Sequence, residues 1–272
     1  MLKTRIITAL ALLACFIPAL FFLSHPLWSG LMLILSLLAL HEWANLIGLS
    51  KKQTQVYLLV SWVVAMLLMW QMAINFHLFF INVLWLFVAA ALFWVVCVPI
   101  WLARGWACRN VLLNMLIGWL LLGSLWLALV CAQRIDPWLL LIMISTIWIA
   151  DSAAYFAGKQ FGRHKLAPSI SPGKTWEGVI GALVGVSLFG LAIVIFIPQQ
   201  RLIIIPGLCG IAILGVYGDL LESFYKRHAN LKDSGQLLPG HGGILDRIDG
   251  VIPALPVGIL AIYIYYSIQA MV

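Results

Sequence analysis

Charge is what this sequence has least of. Asp, Glu, Lys and Arg make up 9% of its 272 residues, against about 25% in a soluble domain. So sparse a set cannot cover a water-facing surface, which excludes an ordinary soluble globular protein. Acid is scarcer still in the first half: of nine acidic residues, only Glu42 lies before residue 135. The five cysteines, Cys15, Cys97, Cys108, Cys131 and Cys209, include no Cys-x-x-Cys pair and no metal-ligand spacing. That excludes a cysteine zinc site and a dithiol redox site. No Ser/Gly linker, low-complexity tract or internal repeat divides the chain.

What is present is apolar. Hydrophobic residues make up 64% of the chain, and the mean hydropathy is +1.08. A membrane-spanning helix needs about 20 apolar residues. Nine such runs are expected, at about 6–23, 27–48, 56–75, 77–103, 111–133, 137–157, 175–197, 202–224 and 250–270. The expected fold is therefore an all-α, polytopic helical bundle. The first run follows Lys3 and Arg5 but is long for a signal sequence and lacks a small-x-small cleavage site, so it is expected to be a span. The third and fourth runs are separated only by Asn75 and His77.

The net charge of +7 sits in short clusters between spans, the pattern of juxtamembrane anchoring rather than of nucleic-acid binding. With the N-terminus cytoplasmic and nine alternating spans, fourteen of the sixteen Lys and Arg residues face the cytoplasm, and only Arg134 and Arg201 face the other side. That asymmetry is what the positive-inside rule requires. The first part, 1–135, is expected to be scaffold. The remainder, 136–272, carries two polar, cytoplasm-facing loops at 158–174 and 225–249, within one integrated membrane domain.

Acids inside spans are costly and mark function by default. Asp151 falls in the sixth run, and Asp219 and Glu222 near the end of the eighth. Glu42 in the second run is equally an acid bonded to a neighbouring helix. The first loop gathers Lys159, Arg163, Lys165 and Lys174 just ahead of a helix start at Thr175, an arrangement suited to an anion. Gly173-Lys174-Thr175 has the tail of a P-loop, but Pro168 stands where that motif needs glycine, and no strand is expected before it.

The second segment, 223–249, is the densest in chemistry. Its glycines at 240, 242 and 243 let backbone approach a ligand closely. Asp246 and Asp249 are three apart, on one face if the ninth span starts early. With Asp219 they make an oxygen set suited to Mg²⁺, which shares its shell with water and substrate phosphates. Capping and pairing with Arg247 is the plainer role for the same two acids. Acids and bases gathered on one membrane face point to phosphoryl or nucleotidyl transfer, with cations holding phosphates and carboxylates holding metal. No Ser/His/Asp order or activated cysteine suggests a covalent intermediate.

At these residues the sequence resembles the phosphatidate cytidylyltransferase (CDP-diacylglycerol synthase) family. Ser223, Lys226, Arg227, Lys232, Asp233, Pro239, His241, Gly242, Gly243, Asp246, Arg247 and Asp249 fall in register with its signature. Tyr225 departs from it, at a position that is usually aliphatic or Phe. Ala150-Asp151-Ser152, Lys165 to Pro168, Ser171-Pro172 and Lys174 to Gly178 are also similar, so the match covers about 148–250. Before residue 135 the likeness is confined to hydropathy and the Glu42-Trp43 pair.

The resemblance implies transfer of CMP from CTP to phosphatidic acid, giving CDP-diacylglycerol and pyrophosphate for phospholipid biosynthesis. It implies Mg²⁺, allows a second monovalent cation such as K⁺, and fits a bacterial inner membrane with membrane lipid as partner, with a homodimer allowed. On this basis Asp246, Asp249, Lys226 and Arg247 are the expected catalytic residues. Asp219, Asp246 and Asp249 are the expected metal ligands. Lys165, Ser171, Lys174, Ser223, Arg227, Lys232, His241, Gly242 and Gly243 are expected to bind substrate, supported by Asp151, Glu177 and Asp233. A CTP-dependent polyprenol-type kinase and a transporter are the rival readings. A transporter would set its polar groups at the midplane and show inverted repeats.

Overall fold

The chain is seen in a computed structural model that describes residues 2–197, 202–235, 237 and 242–270, at 2–9 and 12 as backbone only. Eight helices among the described residues are long and apolar enough to cross a membrane. They are α2 (His25–Leu46), α3 (Lys51–Ile74), α4 (Phe76–Arg104), α5 (Val111–Ile135), α6 (Pro137–Phe161), α7 (Trp176–Phe196), α8 (Ile204–His228) and α10 (Val251–Gln269). They are preceded by α1 (Leu2–Phe22), which covers the first expected run. Part of α1's side chains lies outside the described residues. The short helix α9 (Leu245–Ile248) precedes α10.

Local chemistry sets the boundaries. Asn75 ends α3 in extended conformation, and its side chain accepts the Leu78 N–H to start α4, so one residue breaks an otherwise continuous apolar run. Ser50 and Gln53 form a reciprocal capping box at the start of α3. Asp136 caps α6, with Pro137 in its first turn, where the missing N–H costs nothing. Thr175 caps α7 by accepting the Gly178 N–H at 3.1 Å. Helices α4 and α5 each contain a π-helical turn, at Phe93–Cys97 and Trp119–Gly123.

Tryptophans stitch the first half together. The indole N–H groups of Trp28 and Trp43 on α2 donate to the Leu129 and Asn114 carbonyls of α5, and Trp126 donates back to Ser29. Buried indoles need such acceptors. Helices α6 and α7 meet through small residues, as spans do where apolar solvent supplies no drive to associate. A Cβ built at Gly185 would lie 2.8 Å from the Ala153 methyl, and one at Gly181 would run into Ala157. Helix α10 packs on α4 and α5 as well as on α8, so the two halves form one bundle.

The segment before α7 is not a plain loop. Strands β1 (Lys165–Ala167) and β2 (Ser171–Thr175) pair antiparallel, with Lys165 opposite Thr175 and Ala167 opposite Ser171. This hairpin is the one departure from the all-α expectation among the described residues. It lays Lys174 against Asp219 of α8.

Candidate active site

The chemistry-bearing side chains gather where α6, the hairpin, α8 and the α9 segment meet. Lys174 Nζ on β2 lies 2.6 Å from Asp219 Oδ2 on α8. Asp219 Oδ1 accepts the Ser223 hydroxyl one turn on, at 3.2 Å. Asp151 on α6 and Asp249 after α9 bring their charges to bear on the same group. Burial pushes the Asp249 carboxyl up to about 7; its neighbours Asp219 and Asp151 push the same way, against the Gly250 N–H and Lys174.

A second group adjoins the first. Lys226 Nζ on α8 bridges Glu222 Oε2 at 2.9 Å and Asp246 Oδ1 at 2.6 Å. Asp246 Oδ2 accepts the backbone N–H groups of Ser234 and Gly243. Burial works to raise the Asp246 carboxyl, but the hydrogen bonds from Lys226 and Gly243 prevail and hold it down at about 2. Glu222 Oε1 is buried, with no hydrogen-bond partner among the described residues. The two groups touch electrostatically, because Asp249 and Asp246 both act on Glu222.

A cavity of about 400 Å³ opens over the first group. Asp151, Lys174 and Asp219 line its polar side, and Ala154, Val179 and Val216 belong to its apolar side. A second cavity of similar size among α2, α3 and α5 has no ionisable side chain in its lining, so it cannot bind and activate a phosphate.

The other expected residues take distinct places. Arg227 Nε donates to the Ile170 carbonyl and ties α8 to the hairpin. Glu177 accepts the His164 N–H and meets His164 Nδ1 at 2.6 Å, bracing the start of the hairpin. Lys165 and Lys232 are exposed, Ser171 begins β2, and Asp233 lies next to Gly242. Gly242 has φ +83°, a conformation that favours glycine. Arg247 lies on α9 with its partners. His241 falls outside the described residues.

Two features differ from the sequence reading. Span α10 starts only at Val251, so Asp246 and Asp249 do not share its first turn; Asp246 faces Lys226, and Asp249 faces Asp219. The room at Gly243 is filled by the Glu42 carboxylate, which a Cβ there would strike, rather than by a ligand. Glu42 is the residue missed as part of the site. It accepts the Ser234 hydroxyl at 3.0 Å and the N–H groups of Ile244 and Leu245 at 3.0 and 2.8 Å. Its position as an acid inside a span was the available signal.

Among the described residues, no three His, Cys, Asp or Glu side chains close into a ready-made metal cage. Asp219, Asp249 and Asp151 do supply oxygen donors on three separate elements beside one lysine. That set fits Mg²⁺, which needs only one or two carboxylates when water and phosphate complete its shell.

Such a fold and site define an integral membrane protein with a carboxylate and lysine centre at one end of its bundle. The family described as "Cytidylyltransferase family" matches residues 3–266, and the chain belongs to it. The chain is 34% identical to a "Phosphatidate cytidylyltransferase" of Haemophilus influenzae over 94% of its own length and 96% of the relative's. It is 35% identical to the protein of that name in Pseudomonas aeruginosa, covering 94% and 95%. Identity reaches 47% with the Staphylococcus aureus protein of that name over a shorter stretch, 40% of this chain and 43% of the other.

Proposed function

We propose that this protein transfers CMP from CTP to phosphatidic acid, releasing pyrophosphate and forming CDP-diacylglycerol. The observation that carries the reading is the cavity that joins Lys174 and Asp219 to a wall of small apolar side chains. One end suits a triphosphate and the other a lipid. The family and the relatives' names support the same reaction.

The lipid phosphate oxygen attacks the α-phosphorus of CTP. The bond to the bridging oxygen breaks, and pyrophosphate leaves with its electron pair. The nucleophile is already an anion, so no strong general base is required. The task is to hold two anions together and stabilise the charge that moves to the leaving group. Lys174, paired with Asp219, and Lys226, held between Glu222 and Asp246, supply cations to the phosphates, and Arg227 and Arg247 are assigned the same task. Asp219 and Asp249, with Asp151 beside them, are the residues that would hold Mg²⁺. Both oxygens of Asp246 are engaged by Lys226, Ser234 and Gly243, which suits it to fixing that lysine. When bound, Mg²⁺ would neutralise charge on the triphosphate. The distribution of Lys and Arg supports a cytoplasm-facing site in the inner membrane, where CTP is available.

The test is an assay of purified protein with CTP, Mg²⁺ and a panel of lipid phosphates. CDP-diacylglycerol with equimolar pyrophosphate is expected; release of CDP with a phosphorylated lipid would replace this reading with that of a kinase.

A further inference from the structure

Glu42 is the single acidic residue before residue 135, and it is almost fully buried at 2% exposure. Among the described residues it makes no ion pair. A buried carboxylate without a cation is costly in a membrane helix, unless other donors satisfy it. Here they do, and all three come from about two hundred residues away: the Ser234 hydroxyl and the Ile244 and Leu245 N–H groups. The two N–H groups stand at the start of α9, where a helix leaves its donors unsatisfied. Each side therefore needs the other.

The fit is tight. A Cβ at Gly235 or at Gly243 would collide with the Glu42 carboxyl. Asp246 grips the same strip from the other direction, accepting the Ser234 and Gly243 N–H groups while bonding Lys226. Ser234 is thus held by Glu42 through its hydroxyl and by Asp246 through its backbone. The scaffold helix α2 in this way sets the position of the segment that carries Asp246, Arg247 and Asp249.

We infer that Glu42 is a positioning residue for the triphosphate and metal side of the reaction, acting from the scaffold half through α9 on Lys226 and Asp249. The inference rests on the proposed CTP-dependent reaction for its substrate. It predicts an asymmetry: loss of Glu42 misplaces the groups that meet CTP and Mg²⁺, and leaves the apolar wall formed by α6, α7 and the middle of α8 intact.

The experiment compares Glu42→Gln, Ser234→Ala and the double variant with the parent protein, purified in detergent micelles. In Glu42→Gln the KM for CTP and the Mg²⁺ concentration for half-maximal rate are expected to rise tenfold or more, with the KM for phosphatidic acid within twofold. Ser234→Ala is expected to shift the same two quantities about threefold, and the double variant to be no worse than Glu42→Gln. Kinetic constants within twofold of the parent in Glu42→Gln, an equal rise in both KM values, or multiplying effects in the double variant would each overturn the proposal. If Glu42→Gln cannot be obtained folded, an unchanged KM for CTP in Ser234→Ala overturns it. Thermal stabilisation by Mg²⁺ alone, expected to need at least tenfold more Mg²⁺ in Glu42→Gln, is read without turnover. It separates failure of this inference from failure of the proposed reaction.

Discussion

Lys174 and Asp219 stand 2.6 Å apart across the gap between the hairpin and α8. The pair joins the two polar segments at one point, because Lys174 comes from the first and Asp219 from the helix that leads into the second. Both groups are partly exposed to the cavity, so the contact is available to a substrate phosphate or a cation rather than sealed as a structural pair.

Asp219→Asn is accordingly expected to lower CMP transfer by at least about a hundredfold, the scale of losing one electrostatic contact to a transition state. Lys174→Met is expected to do the same. Both proteins should still insert and elute as the parent does by size-exclusion chromatography. Near-normal turnover in purified Asp219→Asn would remove this residue from the metal set.

Lys226 is different, because it is half-buried and held between Glu222, which is buried, and Asp246, whose side chain is only 6% exposed. Lys226→Met leaves Glu222 and Asp246 facing each other without a cation. Breaking such an arrangement costs about 3–5 kcal/mol. A marked drop in the unfolding temperature is expected alongside loss of activity, measured on protein in detergent. Retained stability with activity lost would make Lys226 purely a substrate-binding group.

Asp249 makes the proposed metal binding sensitive to pH. Its carboxyl is raised to about 7 by burial and by Asp219 and Asp151, whereas an unfolded Asp titrates near 3.9. Metal needs the deprotonated form. Mg²⁺ affinity is therefore expected to rise from pH 6 to pH 8, with protons released on binding. Without metal the sign reverses: a raised folded-state pKa contributes stability below the unfolded value, and that stability is lost as pH rises through about 7. Calorimetric titration at pH 6 and pH 8 in buffers of different ionisation enthalpy checks the first trend. Thermal unfolding without metal checks the second.

Tyr225 departs from the family pattern at its position, and the fold accounts for it. Its hydroxyl donates to Asn114 Oδ1 at 2.9 Å, and Asn114 in turn takes the Trp43 N–H on its carbonyl. Tyr225→Phe strands the Asn114 oxygen, at a cost of about 1 kcal/mol. Activity under standard assay conditions is expected to stay near that of the parent. A large loss of turnover at unchanged stability would place Tyr225 in the catalytic centre instead.

The spans were legible because they depend on local composition. Each of the nine apolar runs corresponds to a helix, with α1 carrying the first, and even the weak break between the third and fourth is explained by one residue, Asn75. The hairpin was not legible. Lys165–Ala167 and Ser171–Thr175 are too short to show strand alternation, and the contacts that hold the hairpin, Lys174 to Asp219 and Ile170 to Arg227, come from α8, far along the chain. The residue types of the site were also plain, since charged groups in so apolar a chain have few reasons to be there. Their partners were not. Asp246 and Asp249 read as one pair by spacing, yet Asp246 turns to Lys226 and Asp249 toward Asp219, both ahead of α10, which begins at Val251.

What the sequence determined by itself is the membrane character, the succession of spans and the kinds of groups that meet at one face. Each of these follows from the cost of placing charge or bare backbone in lipid, which is felt residue by residue. Tertiary structure alone decided which carboxylate faces which cation, and that Glu42 belongs to the same assembly. Those contacts depend on how helices far apart in the chain are brought side by side, and the three donors of Glu42 lie 192 to 203 residues away from it. Packing geometry of that kind leaves no periodic trace in the chain.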